Sequence, residues 1–293
     1  MPEATQVTAA LYADWPLPEP GSDKHARGTV LLVGGSSSVP GAMLLAGEAA
    51  LRAGGGKLQV ATTDSVAAQM AVALPEALVS RTPELQTGDI SPEAAGQVLE
   101  LAGSADAILL GPGITGPDAA IRLLREVVPE LTSQRVVVDA LGSAYVTSDA
   151  DCLHHLGTTA VLTVNPSEVA LTLGVEQDEV DADPLAATVE LARRARAVVL
   201  CGGSDKYVAS PDGPTWKISV GGPGLGVSGS GDVQAGIVTG LLARGADPEQ
   251  AAVWGAWLHG SSGDALAGSV GPVGFLAREL PAVVPRLLAD LAG

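Results

Sequence analysis

Short apolar runs that stop at glycine, asparagine or aspartate recur along this 293-residue chain, and they constrain its fold more than any other feature. Most of them contain three or more consecutive apolar residues, without the alternation of a half-buried strand. Such runs are typical of strands that are buried on both faces of a parallel sheet. They lie at residues 28–36, 58–62, 107–110, 135–139, 160–163 and 197–201.

Segments with helical patterns separate these runs, and one hairpin breaks the alternation. The predicted helices cover residues 41–52, 118–131, 168–173, 183–194, 233–243, 248–260 and 274–291, and the hairpin joins 207–209 to 215–218. Strands that alternate with helices predict an α/β protein whose parallel sheet has helices on both faces. Without a linker-like segment, we expect one domain over residues 1–293, with a proline-rich lead-in at 1–23.

Small and polar residues follow most of the predicted strands. Ligands of open α/β sheets bind beyond the carboxyl ends of the strands. We therefore expect one cleft to gather residues 34–36 (GGS), 111–113 (GPG), 139 (D), 165–168 (NPSE) and 201–203 (CGG).

The net charge of −17 argues against a nucleic-acid partner, because such a protein needs a basic face to neutralise phosphates. A single nucleotide can still bind through backbone amides and a helix N-terminus.

No apolar stretch has the length of a membrane helix, and the N-terminus lacks the pattern of a secretory signal. Cys152 and Cys201 fit neither a metal site nor a disulfide framework. We expect reduced cysteines, no membrane partner and a cytoplasmic protein.

A glycine-rich loop leads into a helix at residues 221–245 and contains Gly229-Ser230-Gly231-Asp232. Free backbone N–H groups and the helix dipole favour an anion at such a helix start. Asp232 has two interpretations: it caps the helix, as aspartate often does, or it is a catalytic base beside the bound anion. Its position at the strand-end cleft favours the base.

Several other kinds of nucleotide or catalytic site are excluded by their missing patterns. The chain has no G-x-x-x-x-G-K-[ST] loop, no G-x-G-x-x-G after its first strand and no nucleophile elbow. Its histidines show no metal-ligand spacing. What remains is an anion-binding loop with an acid in an α/β sheet.

The G-S-G-D sequence at a helix start resembles the anion hole of the ribokinase-like superfamily. Further motifs resemble the ADP-dependent NAD(P)H-hydrate dehydratases, and they lie at residues 24–36, 40–42, 44–56, 110–113, 136–140, 211–213 and 258–264. The resemblance spans about residues 24–290. It implies a three-layer α/β/α fold with a mostly parallel central sheet, and a homotetramer.

The resemblance also implies an activity and the residues that carry it. Family members remove water from the hydrated cofactors NADHX and NADPHX, converting ADP to AMP and phosphate with Mg²⁺. Asp232 would be the base, with the amides of Gly229 to Gly231 as the anion hole. Carried over by position, the residues that line the hydrated cofactor are Ala42, Gly113, Asn165 and Asp232. Those that line the adenine nucleotide are Cys201, Gly202, Gly203, Ser204, Asp205 and Gly231.

Two positions depart from the family pattern. Asn165 stands where the family usually has histidine, and an asparagine side chain cannot titrate near neutrality. Cys201 stands where the family usually has lysine, which removes a positive charge beside a phosphate. Lys206 is a candidate replacement if its side chain reaches back to the site.

Three further carboxylates keep two interpretations each. Asp139 either holds a magnesium-bound water or caps the next turn, and the turn role is favoured. Glu168 either orients metal-bound water or is an early-helix acid. Asp264 is interpreted as a packing or capping residue.

Two other functions remain open beside the dehydratase. The first is an ATP-dependent ribokinase-like kinase of a small alcohol such as a vitamin precursor. The second is a catalytically weakened nucleotide-binding protein, which the changes at residues 165 and 201 suggest.

Overall fold

A single ten-stranded sheet organises the protein, which we describe from a computed structural model covering residues 4–292. The strand order is β1-β10-β9-β8-β7-β6-β5-β2-β3-β4. In chain order the strands are β1 (Thr5–Gln6), β2 (Thr29–Val33), β3 (Lys57–Thr63), β4 (Ala77–Thr82), β5 (Ala107–Leu110), β6 (Arg135–Asp139), β7 (Ala160–Val164), β8 (Val198–Cys201), β9 (Lys206–Ala209) and β10 (Thr215–Ile218).

All strand pairs of this sheet are parallel except the two that β9 makes, with β8 and with β10. The predicted hairpin is therefore confirmed, as are the six predicted parallel strands. Every residue of β2, β5, β7 and β8 is buried. This is the burial expected of a sheet with both faces covered.

Eleven α-helices within the described residues form the outer two layers. They are α1 (Gly41–Arg52), α2 (Asp64–Ala73), α3 (Ala95–Ala102), α4 (Pro117–Val127), α5 (Ser143–Ser148), α6 (Pro166–Leu173), α7 (Gln177–Ala182), α8 (Pro184–Ala195), α9 (Ser230–Ala243), α10 (Pro248–Ser269) and α11 (Val284–Leu291). Two buried apolar clusters lie on opposite faces of the sheet: α1, α2, α9 and α10 contribute to one, and α3 to α8 to the other. The predicted three-layer α/β/α fold is confirmed. No helix among residues 4–292 combines the length and hydropathy needed to cross a bilayer.

Helices α1 and α9 make an unusually close contact. A Cβ atom on Gly236 would overlap the backbone of Ala46, and one on Gly240 would overlap the backbone of Ala50. Glycine and alanine at four-residue spacing let two helix backbones touch, as in other small-residue helix pairs. This contact fixes the position of α9 relative to the sheet.

The N-terminal segment packs more deeply than a surface lead-in would. Val7, Tyr12 and Leu17 are buried. Trp15 stacks on Trp216 of β10 with ring centroids 5.4 Å apart, and its carbonyl oxygen accepts a hydrogen bond of 3.1 Å from the Trp254 indole. All four tryptophans belong to one connected cluster, with Trp257 6.1 Å from Trp254.

Some elements differ from the prediction. The helix predicted over 274–291 is wrong: a 3-10 turn at Ala277–Glu279 precedes α11, because Pro281 interrupts the helix between them. Helix α10 continues to Ser269, beyond the predicted 260. Strand β4 was not predicted, because it lies at the sheet edge and mixes exposed and half-buried residues with one buried threonine, so it lacks a continuous apolar run.

Candidate active site

The carboxyl ends of the central strands and the N-terminus of α9 enclose two adjoining cavities. The smaller has a volume of about 300 Å³ and is lined by Asp139, Ala140, Thr163, Val164, Asn165, Glu168, Gly202, Gly229, Gly231, Asp232 and Gln234. The larger, of about 730 Å³, is lined by Asn165, Pro166, Gly202, Gly203, Ser204, Lys206, Gly221, Gly222, Pro223, Leu225, Gly226, Val227, Ser230, Gly231, Gln234 and His259. They share the residues Asn165, Gly202, Gly231 and Gln234. Three of the five predicted strand-end motifs contribute to the cavity walls, whereas residues 34–36 and 111–113 line neither cavity.

The glycine loop brings the start of α9 to the boundary between the cavities. Gly229 is the N-cap residue and has a φ of +89°, a left-handed conformation that favours glycine. No side chain caps this helix; the Ser230 N–H donates to the Val227 carbonyl oxygen at 3.1 Å, and the N–H groups of Gly231 and Asp232 are left available to an anion. The capping interpretation of Asp232 is therefore wrong: the residue lies inside the first turn, two positions after the helix begins.

The Asp232 side chain is half-buried at the wall of the smaller cavity. Burial raises its pKa to about 6, because a carboxylate loses hydration there. A base with a pKa close to the working pH is well matched to proton abstraction. Asp232 can thus accept a proton from a ligand that lies against the α9 amides.

Asp139 is a second carboxyl group of the smaller cavity, and it is more deeply buried. Its Oδ1 accepts a hydrogen bond of 2.6 Å from the Thr163 hydroxyl. Burial raises its pKa well above the ordinary value; the Thr163 bond opposes this shift, while the nearby carboxylates of Asp232 and Glu168 reinforce it. A hydrogen bond from the Ala140 backbone, where the following turn begins, also lowers this pKa, although the Asp139 side chain makes no N-cap hydrogen bond to that turn.

Asn165 and Glu168 form a capping box at the start of α6. The Asn165 side-chain oxygen accepts from the Glu168 N–H at 3.0 Å, and Glu168 Oε2 accepts from the Asn165 N–H at 2.9 Å. This reciprocal pair satisfies two N–H groups at the helix start. The early-helix role of Glu168 is confirmed, and both residues also line the smaller cavity.

The larger cavity has side chains that sequence reasoning did not place there. Ser230 Oγ and His259 Nε2 share a buried hydrogen bond of 2.9 Å. Burial, and then the nearby Lys206 ammonium, lower the pKa of His259 to about 3, so the imidazole is neutral. Gln234 is buried and lines both cavities. It lies two residues after Asp232, a spacing at which helical side chains do not face each other, so helical periodicity gave no signal for it.

Comparison with protein-family models matches residues 30–286 to the model described as NAD(P)H-hydrate dehydratase. The chain belongs to the NAD(P)H-hydrate dehydratase family. The ADP-dependent (S)-NAD(P)H-hydrate dehydratase of Xanthomonas campestris pv. campestris is 45% identical over 291 residues, which are 99% of this chain and 98% of the relative.

Solved structures agree with this membership of the dehydratase family. The ADP/ATP-dependent NAD(P)H-hydrate dehydratase from Bacillus subtilis, co-crystallised with ATP and Mg²⁺, superposes with a TM-score of 0.79 at 26% identity, covering 98% of this chain and 99% of that one. A ribokinase-like superfamily protein from Enterococcus faecalis superposes with a TM-score of 0.84 at 21% identity, over 98% of this chain and 96% of that one. The fold is ribokinase-like, as predicted.

The residues carried over from the dehydratase family are not all in the cavity walls. Those that line one cavity or both are Asn165, Gly202, Gly203, Ser204, Gly229, Gly231 and Asp232. Ala42 and Gly113 lie against each other but are absent from both linings: a Cβ on Gly113 would lie 3.1 Å from that of Ala42. Their contact with the hydrated cofactor stays a prediction.

Cys201 and Asp205, predicted on the nucleotide side, are also absent from both linings. Cys201 is a free, buried cysteine, and burial raises the pKa of its thiol to about 11, so it is neutral. The Asp205 carboxylate pairs with Lys217 Nζ at 2.7 Å. Cys152 is also free and buried, so both cysteines are reduced, as expected.

Lys206 and Asp264 hold opposite ends of one peptide group in the glycine loop. Lys206 Nζ donates to the Val220 carbonyl oxygen at 3.0 Å, and the Gly221 N–H of the same peptide donates to Asp264 Oδ2 at 3.0 Å. We call this group the clasped peptide. Asp264 therefore anchors a loop rather than capping a helix, and Lys206 does reach the wall of the larger cavity.

Proposed function

We propose that this protein dehydrates the (S) forms of NADHX and NADPHX to NADH and NADPH, with ADP converted to AMP and phosphate. The observation that carries the proposal is the half-buried Asp232 carboxylate, with its raised pKa, beside the uncapped N-terminus of α9. The relative that matches along nearly the whole chain bears the name of this activity. The protein is thus a lyase that repairs nicotinamide cofactors.

The chemistry uses a proton acceptor and an anion hole, and both are present. A hydroxide is a poor leaving group, so the substrate hydroxyl attacks the β-phosphate of ADP and AMP departs. Asp232 takes the hydroxyl proton during this attack. The N–H groups of Gly229 and Gly231 hold the negative charge on the phosphoryl oxygens, whereas the Ser230 N–H is bonded to the Val227 carbonyl oxygen. The ester then loses phosphate from one ring carbon and a proton from the adjacent carbon to solvent, which forms the ring double bond and completes removal of the elements of water.

We assign the smaller cavity to the hydrated nicotinamide and the larger to the adenine nucleotide. Asn165, Gly202 and Gly231 line both, so they lie at the boundary where the two ligands would meet. Asp232 lines only the smaller cavity, on the side of the attacking hydroxyl. This arrangement supports the predicted division of the site residues.

Magnesium fits the smaller cavity as an ion shared with the nucleotide. No group of three potential metal ligands occurs among residues 4–292, so the protein has no dedicated cage there. Mg²⁺ commonly binds through one or two carboxylates, waters and substrate phosphates. Asp139 and Glu168 supply two carboxyl groups that would hold its waters. When bound, the ion would neutralise charge on the phosphates.

The proposal predicts a pH dependence from Asp232. The base works only when it is ionised, so kcat/KM should rise about tenfold per pH unit below a midpoint near 6 and level off above it. Initial rates between pH 5 and 8, with circular dichroism at each pH as a control for folding, measure this. A profile that is flat from pH 5 to 7 would contradict the assignment of Asp232 as the base.

One assay separates the three candidate functions. Purified protein is mixed with NADHX, and the near-ultraviolet absorbance of reduced nicotinamide is followed with ADP, with ATP and with neither. We expect recovery of NADH with ADP and none without nucleotide. Binding of both ligands without turnover would instead indicate a weakened nucleotide-binding protein, and phosphorylation of a small alcohol by ATP without NADH recovery would indicate a kinase.

We further propose that the protein is a cytoplasmic homotetramer, as the family resemblance implies, and that the chain forms one domain. The sheet that contains every strand from β1 to β10 supports the single domain. Size-exclusion chromatography with light scattering tests the assembly, for which a monomeric mass would be the contrary result.

A further inference from the structure

Lys206 is a buried cation in the wall of the larger cavity. It begins β9, opposite Ile218 of β10, and only 3% of its surface is exposed. Burial lowers its pKa, while the more distant carboxylates of Asp264 and Asp205 act in the opposite direction. The amino group of Lys206 therefore lies where hydration is largely lost.

The Lys206 ammonium has more hydrogen-bond donors than acceptors around it. An ammonium has three donors, and Lys206 uses one of them on the Val220 carbonyl oxygen. None of the ion pairs within residues 4–292 includes Lys206. A buried charge without a counter-ion is costly unless a ligand supplies one. The cavity that Lys206 lines is the place from which such a ligand would come.

The other walls of the larger cavity carry no formal charge. Of its lining residues only Lys206 is charged at neutral pH, since the pKa of His259 is lowered to about 3. The lining also contains Ser230 and Gly231, where α9 starts and its free N–H groups favour an anion. A volume of about 730 Å³ is suited to a ligand the size of a nucleotide.

The Cys201 side chain supplies no charge to this cavity. Its thiol is neutral and absent from the cavity lining. Lys206 lies five residues further along the chain, on the neighbouring strand. The clasped peptide holds its ammonium at the cavity.

We propose that Lys206 binds a phosphate of the adenine nucleotide and supplies the positive charge of this cavity. The proposal deepens the proposed function and rests on it for the identity of the nucleotide. Lys206 keeps the Val220 carbonyl as one acceptor and directs its remaining donors to the phosphate oxygens. The helix N-terminus of α9 and Lys206 then hold the diphosphate from two sides.

Calorimetric titrations of the full chain with ADP and with adenosine test this. For Lys206→Met we expect ADP affinity to fall by about 10- to 100-fold, the usual effect of a charge-assisted hydrogen bond, with adenosine affinity within about twofold of wild type. Lys206→Arg should retain part of the ADP affinity. Lys57→Met is the matched control: it removes the same charge at the start of β3, where Nζ contacts His25 Nδ1, and should change neither affinity.

A second variant separates charge from loop position. Asp264→Asn weakens the other end of the clasped peptide but leaves the cation, so it should preserve the preference for ADP over adenosine. An equal loss of that preference in Lys206→Met and Asp264→Asn would overturn the proposal, as would ADP affinity within twofold of wild type in a folded Lys206→Met. If wild type binds ADP with the expected Lys206 dependence but fails to dehydrate NADHX, the proposed function fails and this inference stands.

Discussion

Asp232→Asn is expected to lower kcat for NADHX dehydration by about 10²-fold or more, the usual cost of removing a general base. The substitution keeps the shape of the side chain but removes the group that accepts the hydroxyl proton. ADP binding should not weaken, because the variant removes a negative charge near the phosphates. The residual rate should also lose the pH dependence centred near 6.

The control for this variant is Asp178→Asn, which changes an exposed aspartate in the first turn of α7, outside both cavities. Its turnover should equal that of wild type. Single-turnover measurements with saturating ADP separate the chemical step from product release. If Asp232→Asn kept its rate within threefold of wild type, another group would have to take the proton.

Gly236→Val should be the most damaging substitution outside the cavities. Its side chain would meet the backbone of Ala46 in α1, which cannot move aside as a flexible side chain can. Overpacking of this kind costs about 1–3 kcal/mol, and more where backbone must shift. We expect the midpoint of thermal unfolding to fall by about 6 °C or more, since 1 kcal/mol corresponds to about 2–4 °C in large domains.

Gly268→Ala is the matched control for that stability measurement. Gly268 is an exposed glycine of α10, and a Cβ there would meet no atom within 4 Å. The change should raise the free energy of unfolding by about 0.5–1 kcal/mol, because alanine favours the helix. Differential scanning calorimetry distinguishes the two variants. Equal midpoints for Gly236→Val and wild type would show that the contact between α1 and α9 can relax.

Much of the fold could be predicted because the central strands are buried on both faces. A run such as Val30 to Val33 has no polar position, and that burial pattern is visible in the residues themselves. The edge strand β4 and the interrupted segment before α11 were missed for the converse reason. Exposure, or a proline at position 281, decides their structure, and apolar periodicity does not reveal either effect.

The part of the candidate site that neighbouring residues of the chain form by themselves could be predicted from the sequence. Asp232 and the glycines before it form a helix start whose function follows from backbone geometry. The position of the Lys206 side chain could not be predicted in this way. It depends on β9 running antiparallel to β8 and on the clasped peptide, which joins residues distant in sequence. No spacing rule along the chain could show that its ammonium enters the cavity.

The tryptophan cluster gives the protein a localised optical probe. All four indoles are connected through the contact of the N-terminal segment with α10 and β10, and Tyr12 lies 5.0 Å from Trp254. Intrinsic fluorescence therefore originates from one place in the molecule. Its emission monitors whether that segment is docked. A spectral change during unfolding therefore reports when this contact is lost, and it does not report the average unfolding of the whole sheet.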